Sequence, residues 1–387
     1  MSEKDIKNIC IISSGYPTDN NPRNTFVDQL VCQFANKNIK CNVISPQSVN
    51  SYILDRKKKQ KGKWVKRTDQ GKKINIYAPK YCSLSNKNII KFNTAKITLK
   101  MFKMSVEKEF KKLKERPDVI YAHFINPSGV TATYLGEKYN IPVFIACGES
   151  SSALYDVLGE KVIERTLNSA NGVIAVSTKN KEMIESKINM DFEKIKVLPN
   201  GIDSKVFYKM DRKICRKKLG ISDDDFTICF VGSFIERKGP LRLMNAVNNI
   251  EGVKVIFIGD GPQIPKSEKV LFCGKVSHNQ ISEYLSSSDV FVLPTLNEGC
   301  CNAIVEAMAC GLPVISSNLK FNDDILNETN SIRIDPQNIH EINMAIKLLK
   351  NNEELREKLS KGALNSAVAL NVEDRAKKII NFIESRI

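Results

Sequence analysis

Along the chain, short apolar runs rich in β-branched residues alternate with longer stretches in which apolar positions recur every three or four residues. The first cycle reads as a strand over Ile9-Cys10-Ile11-Ile12, a helix from Phe26 to Asn36 and a strand over Cys41-Asn42-Val43-Ile44. Continuously apolar strands separated by helix-period segments are the pattern of βαβ units, whose parallel sheet is covered on both faces. Val119-Ile120-Tyr121, Val143-Phe144-Ile145 and Gly172 to Val176 extend the series. A second series follows Pro199-Asn200-Gly201-Ile202-Asp203: Thr227 to Val231, Val253 to Ile258, Val270 to Phe272, Val290 to Leu293 and Pro313 to Ile315. The fold class predicted is α/β, with two Rossmann-like parallel-sheet domains, residues 1–199 and 200–370. A last apolar-periodic stretch, Val372 to Ile387, follows a weak break at Leu370-Asn371, and residues 371–387 are expected to pack back on the first domain.

Length agrees with this division, since 387 residues exceed one ordinary core. No run approaches the ~18 uncharged apolar residues of a membrane span, and the opening residues lack the apolar stretch and cleavage site of an export signal. A cytoplasmic location is therefore expected. The eleven cysteines are scattered, several within apolar runs, without a Cys-x-x-Cys spacing, so reduced thiols are expected. His123, His278 and His340 are far apart and lack paired spacing, and no metal site is predicted.

Charge changes the picture more. Residues 1–205 hold 35 Lys and Arg against 20 Asp and Glu, whereas the remainder is balanced at 24 against 23. Segment 56–116, opening on Arg56-Lys57-Lys58-Lys59, holds 21 basic and 4 acidic residues. Within it, Asn88 to Leu113 interleaves Ile89, Ile90, Phe92, Ile97, Phe102, Val106, Phe110 and Leu113 with lysines. That pattern fits either an amphipathic basic helix or a packed helix with a solvated lysine face. An anionic membrane surface and nucleic acid are the partners such charge attracts. Few aromatics lie among the lysines and no recognition motif is present, so no nucleic-acid partner is expected.

Two segments carry candidate chemistry. Gly232-Ser233-Phe234-Ile235-Glu236-Arg237-Lys238-Gly239 follows a strand directly, and a strand end opening into a glycine-containing loop and a helix N-terminus is an anion site in open α/β sheets. Arg237 and Lys238 add a planar fork and a point charge suited to a diphosphate. Pro294 to Ala307 repeats the pattern of strand end, small-residue loop and helix. Its carboxylates, Glu298 and Glu306, lie roughly 12 Å apart on a helical path, with the amides of Cys301, Asn302 and Ala303 between them. Together they can grip an extended ligand at two points. Asp223-Asp224-Asp225 precedes a strand and reads as a solvated turn.

Val197 to Asp203, Gly232 to Gly239, Gly259-Asp260-Gly261-Pro262, Gly274-Lys275-Val276, and Glu298 to Glu306 running into Ala307 to Ile315 resemble, in order and spacing, the nucleotide-binding half of glycosyltransferase family 4. The first half resembles that family's acceptor domain more loosely, through Ser13-Ser14-Gly15-Tyr16-Pro17, Asp118 to Phe124 and Ala175-Val176-Ser177. The resemblance implies a GT-B fold, with two domains facing across a cleft, and a retaining, metal-independent hexosyltransferase. Its donor would be a nucleotide-diphosphate sugar, most commonly a UDP-sugar. It further implies that Arg237, Lys238 and Gly232 hold the diphosphate, Glu306 the ribose and Glu298 the transferred sugar. The base would lie near Lys275 and Val276, the amides of Cys301, Asn302 and Ala303 would border the donor, and Gly15 would allow close backbone approach. His123, at a strand end, would stand beside the reacting sugar as a catalytic residue with Arg237, Lys238 and Glu298. Many members carry His-Gly after the next strand, where this chain reads Cys147-Gly148-Glu149-Ser150, and Asn24 stands where a further glycine is common. Glu149 is placed either against the acceptor or at the cap of the next helix.

The family route is front-face: the acceptor hydroxyl attacks from the side the diphosphate leaves, through an oxocarbenium-like transition state. No cofactor is implied. The charge of the first half suggests a lipid-linked glycan acceptor at the inner face of the cell membrane, in polysaccharide or glycolipid assembly. Sugar-nucleotide epimerisation and phosphorolysis, also GT-B reactions, are the enzymatic alternatives. A basic nucleic-acid-binding protein is the alternative of a different class.

Overall fold

The computed structural model describes residues 5–18, 24–50, 61–84, 94–149 and 158–387, with the backbone of 88–89 and 92–93. The chain divides into two compact units, residues 1–198 with 375–387, and 199–374.

The main sheet of the first unit is made of β1 (Asn8–Ser13), β2 (Lys40–Ile44), β3 (Lys63–Arg67), β4 (Lys73–Tyr77), β5 (Val119–His123), β6 (Val143–Cys147), β7 (Gly172–Ala175) and β8 (Ile195–Val197). They form one sheet in the order β8-β7-β6-β5-β1-β2-β4-β3. Every pair is parallel except β3–β4. The expected all-parallel sheet thus gains an antiparallel edge, in which Lys63, Val65 and Arg67 are exposed and Trp64 and Lys66 half-buried. Alternating polarity of that kind suits a one-sided edge strand, and its lysines discourage pairing with another chain. Cores lie on both faces of the sheet, one including Phe102, Val106, Leu135 and Ile163, the other Val27, Leu30, Phe34, Ile379 and Ile383.

The basic segment differs from the expected single helix. Asn88–Ile89 pairs antiparallel with Phe92–Asn93, and the helix, α2, runs only from Thr94 to Phe110, α1 being Thr25–Asn36. Ile89 and Phe92 favour strands and Thr94 favours a helix start, which moves the boundary. Arg56-Lys57-Lys58-Lys59 and Ser150 lie outside the described residues. On α2, Phe102, Val106 and Phe110 are buried, while Ile97, Met101 and Met104 are exposed. Glu107, on the same helix, accepts hydrogen bonds from Lys138 (2.7 Å), Tyr139 (3.1 Å) and Tyr134 (3.2 Å) of α3 (Val130–Tyr139). These donors, Lys138 foremost, hold its pKa at about 2.

In the second unit β9 (Phe226–Val231), β10 (Val253–Ile258), β11 (Val270–Gly274), β12 (Val290–Leu293), β13 (Val314–Ser317) and β14 (Ser331–Ile334) form a wholly parallel sheet in the order β11-β10-β9-β12-β13-β14. The central neighbours β9 and β12 are locked together by a buried ion pair. Arg216, 1% exposed, donates to Asp289 (2.8 Å) and to the carbonyls of Ser287 (2.9 Å) and Ser222 (2.7 Å). Asp289 also accepts from the Thr227 amide at 2.7 Å. Asp223-Asp224-Asp225 forms the turn before β9, as expected, and the carbonyl of Asp223 takes another Arg216 hydrogen at 3.1 Å.

Removing one partner of a buried pair strands the other's charge; Asp289 is paired with Arg212 as well, whereas Arg216 has Asp289 as its carboxylate, so Asp289→Ala is expected to cost about 3–5 kcal/mol in urea denaturation. For Glu107, a folded pKa below the unfolded one means stabilisation present above pH ~4.3 and lost as pH falls towards 2. Glu107→Gln is therefore expected to lower stability at pH 7 and flatten its acid-side decline, read from denaturation midpoints between pH 7 and 3.

Candidate active site

The two candidate segments of the second unit leave neighbouring strand ends, and the backbone stitches them together. After β9 the chain turns at Gly232, and Phe234 donates its amide to the Asp260 carbonyl at 2.7 Å. That approach requires glycine opposite: Gly259 and Gly261 have φ 151° and 149°, and a Cβ on either would fall 1.9 Å from the Gly232 oxygen or 2.4 Å from the Phe234 oxygen. The loop after β12 joins from the other side, as the Leu296 amide (2.8 Å) and Thr295 hydroxyl (3.2 Å) both donate to the Arg237 carbonyl.

Side chains converge within this frame. Glu298 Oε1 accepts from Arg237 Nη1 at 2.6 Å, Lys238 Nζ at 2.7 Å and Thr295 Oγ1 at 2.9 Å. Arg237 also bonds the Asn297 carbonyl. Lys238 is only 12% exposed in its side chain. Burial pulls its pKa down, but the adjacent Cys301 and Glu298 outweigh this and the net shift is upward, so Lys238 stays charged. Cys301 is buried, and burial pushes its thiol up to about 11, which keeps it protonated. It precedes the helix Asn302–Ala309, whose start lacks a side-chain cap. Asn302 Oδ1 instead accepts from Asn200 at 2.8 Å, leaving Asn302 fixed and half-buried like Ala303.

About one turn along that helix, Glu306 Oε1 lies 3.5 Å from His278 Nε2, and the His278 ring stands edge-on to Phe207 at 5.1 Å. Lys275, at the end of β11, pairs with Asp260 at 2.6 Å in an exposed contact, and Val276 packs on the core. The structure thus gathers Arg237, Lys238, Glu298 and Cys301 at one point and Glu306 at a second on the same helix. His278 and Thr295 join them, neither singled out by motif. His278 follows Lys275 by three residues, a proximity that could have marked it.

The sequence-predicted residues of the first unit occupy the ends of β1, β5 and β6. His123 ends β5, in register with Ser13 of β1 and Ala146 of β6. It is 1% exposed, enclosed by Phe26 (5.0 Å) and Phe124 (4.8 Å), and its Nδ1 is buried without a hydrogen-bond partner. Burial, with the nearby charge of Arg375 adding to it, pushes its pKa down to about 3. At neutral pH it is an uncharged imidazole. The Gly15 carbonyl accepts from Ser13 Oγ at 2.7 Å and Asn24 Nδ2 at 3.2 Å. Asn24 adopts φ 63°, the left-handed conformation asparagine tolerates best after glycine, which explains its standing in a glycine's place. Glu149 turns its carboxylate inward, accepting the amides of Ile125 (2.6 Å) and Gly148 (3.0 Å).

Residues 24–206 match the family model described as Glycosyltransferase Family 4, and residues 211–366 that described as Glycosyl transferases group 1. Among curated relatives, the putative teichuronic acid biosynthesis glycosyltransferase TuaC of Bacillus subtilis is 30% identical over 247 residues, covering 61% of this chain and 63% of that protein. The UDP-Gal:alpha-D-GlcNAc-diphosphoundecaprenol alpha-1,3-galactosyltransferase of Escherichia coli is 30% identical over 229 residues, 54% of this chain and 58% of its own. The chain thus spans about three-fifths of the length of these relatives. Among solved structures, sucrose-phosphate synthase of Thermosynechococcus elongatus superimposes with a TM-score of 0.77 at 19% identity, covering 96% of this chain and 97% of its own. Anabaena HepE in complex with UDP-glucose gives 0.73 at 16% identity, covering 98% and 99%. With two family models in tandem and these folds matched end to end, the chain belongs to glycosyltransferase family 4 and has the GT-B fold.

Proposed function

We propose that the protein transfers a sugar from a UDP-sugar to a hydroxyl of a lipid-linked glycan, with retention of anomeric configuration and without a divalent ion. The observation that carries the donor half is the convergence of Arg237 and Lys238 on a single oxygen of Glu298, beside the uncapped helix start at Cys301. Two cations and helix-end amides held at one point form a cradle for a diphosphate. The donor brings its own negative charge, so both cations move from Glu298 to the diphosphate and free the carboxylate to accept from sugar hydroxyls. Glu306, steadied by His278, receives the ribose hydroxyls, with the base towards Lys275 and Val276.

The acceptor oxygen bonds to the anomeric carbon on the face from which the diphosphate oxygen departs, and its proton passes to that phosphate. Arg237, Lys238 and the amides of Gly232, Cys301, Asn302 and Ala303 stabilise the charge gathering on the leaving group. They supply the positive charge a metal would otherwise bring. His123 is neutral and takes part as a hydrogen-bonding group on a sugar hydroxyl rather than as a cation, with the Gly15 backbone on the same edge of its unit. Glu149 serves the acceptor side through the loop it ties down.

The donor and acceptor classes draw support from the Escherichia coli relative, whose name gives UDP-Gal and a diphosphoundecaprenol-linked sugar, and from the HepE complex with UDP-glucose. A cytoplasmic enzyme docked on the inner membrane face fits the surface of α2. Ile97, Met101 and Met104, the last 56% exposed, form a row one helical turn apart, among Lys96, Lys100, Lys103 and Lys108. No described helix is long and apolar enough to cross a membrane.

In a thermal-shift screen of sugar nucleotides, UDP and one UDP-sugar are expected to raise Tm, as a ligand of the folded state must, and Glu306→Ala should lose that shift. Arg237→Ala is expected to reduce turnover of the responding donor by about 10²-fold or more; wild-type turnover would remove the diphosphate role. Binding to phosphatidylglycerol vesicles at low salt, measured by co-sedimentation, is expected to fall several-fold in Met101→Glu/Met104→Glu, and equal binding would refute membrane docking through α2.

A further inference from the structure

The residue after His123 has an unusual backbone. Phe124 adopts φ 70° and ψ 150°, a left-handed conformation that a bulky side chain takes up only when its surroundings impose it. Its own amide donates to the Ala146 carbonyl at 2.9 Å, and its carbonyl accepts from Gly129 at 3.0 Å. The next amide, of Ile125, donates to Glu149 Oε1 at 2.6 Å, while Glu149 Oε2 takes the Gly148 amide at 3.0 Å. One carboxylate therefore ties the loop after β5 to the loop after β6, clasping Phe124 between them. Gly148 touches the ring closely enough that a Cβ there would lie 3.4 Å from Phe124 Cε1. Glu149 is fixed in turn, since its carbonyl accepts from Asn180 Nδ2 at 2.8 Å and Asn180 is held by Ser177.

We propose that Glu149 is the positioning residue of His123: by bonding the Ile125 and Gly148 amides it holds Phe124 in its left-handed turn, and the Phe124 ring so placed keeps the His123 imidazole dry and oriented. The role of His123 in catalysis rests on the function proposed above, whereas the clasp itself does not. A carboxylate suits the task because the two amides, which the Cys147 thiol joins, are donors, and each amide finds its own oxygen. A carboxamide would accept from one and turn its own N–H₂ group against the other. Around the imidazole, Phe26 comes from α1, Tyr121 from β5 and Arg375 from the last helix (Val372–Glu384); on the neighbouring strand β6 the titratable groups are Cys147, at its end, and Glu149, two residues further on. Arg375 is the one positive charge in this set, and it works with burial against protonation. Loosening Phe124 admits water and weakens both effects.

The chain has three histidines, so the imidazole resonances can be assigned by substitution and followed by NMR in the full-length protein. In the wild type His123 is expected to remain neutral throughout pH 5–8. In Glu149→Gln it should titrate within that window, a rise of at least two pH units from about 3, while UDP stabilises the variant as it does the wild type. Phe124→Gly accepts the left-handed backbone and removes the ring, and should also bring His123 into the window, even if Glu149→Gln fails to fold. In the double variant the two effects should not add, because they act through one ring. A His123 that stays neutral in Phe124→Gly, or additive shifts in the double variant, would overturn the proposal. Wild-type turnover in His123→Ala would instead count against the functional reading while leaving the titration result standing.

Discussion

The arrangement of the second unit depends on how a nearly buried ammonium is kept charged. Burial pulls the Lys238 pKa down, the negative partners beside it, Glu298 at 2.7 Å among them, more than offset that, and Glu298 in turn is shared with Arg237 and Thr295. One carboxylate oxygen is thus the point at which two cationic side chains and a hydroxyl meet. Placing it there requires the loops after β9 and β12 to stand side by side. The Arg216–Asp289 pair secures that from below, at the opposite ends of the same strands. Positive charge at the site and a stable sheet beneath it are two aspects of one construction.

Most of the fold was legible in the sequence, because parallel strands buried on both faces must be apolar throughout, and Ile9 to Ile12, Val253 to Ile258 and Val290 to Leu293 are. The exceptions share a cause. Lys63–Arg67 is a strand whose alternating lysines belong to a sheet edge, and they merge with the surrounding basic run. In Arg212–Leu219, read alone, Arg216 is one of five cations on a short polar helix. It is buried only because Asp289, far along the chain, comes to meet it. Long-range pairing of that sort leaves no local periodicity.

The site divides along the same line. Arg237, Lys238, Glu298 and Glu306 stand in motif order, and the loops that carry them are fixed by local turns and glycines. The pairing of Glu306 with His278 and the enclosure of His123 by Phe26 are products of tertiary packing. Glu149 presented only a choice between acceptor and helix cap when read from its neighbours. Its amide partners at Ile125 and Gly148 lie on two separate loops, and only their convergence gives it a distinct role.

The last helix has a consequence for how the molecule is made. Ala376, Ile379, Ile380 and Ile383 complete the apolar core that includes Phe34 and Tyr121, and the Glu384 carboxylate accepts the Ile6 amide. Residues that follow the second unit in the chain are thus part of the unit that precedes it. During translation, where domains ordinarily fold in order as they emerge, the N-terminal sheet has to wait with one face covered only in part, by α1, while the whole of residues 199–374 leaves the ribosome.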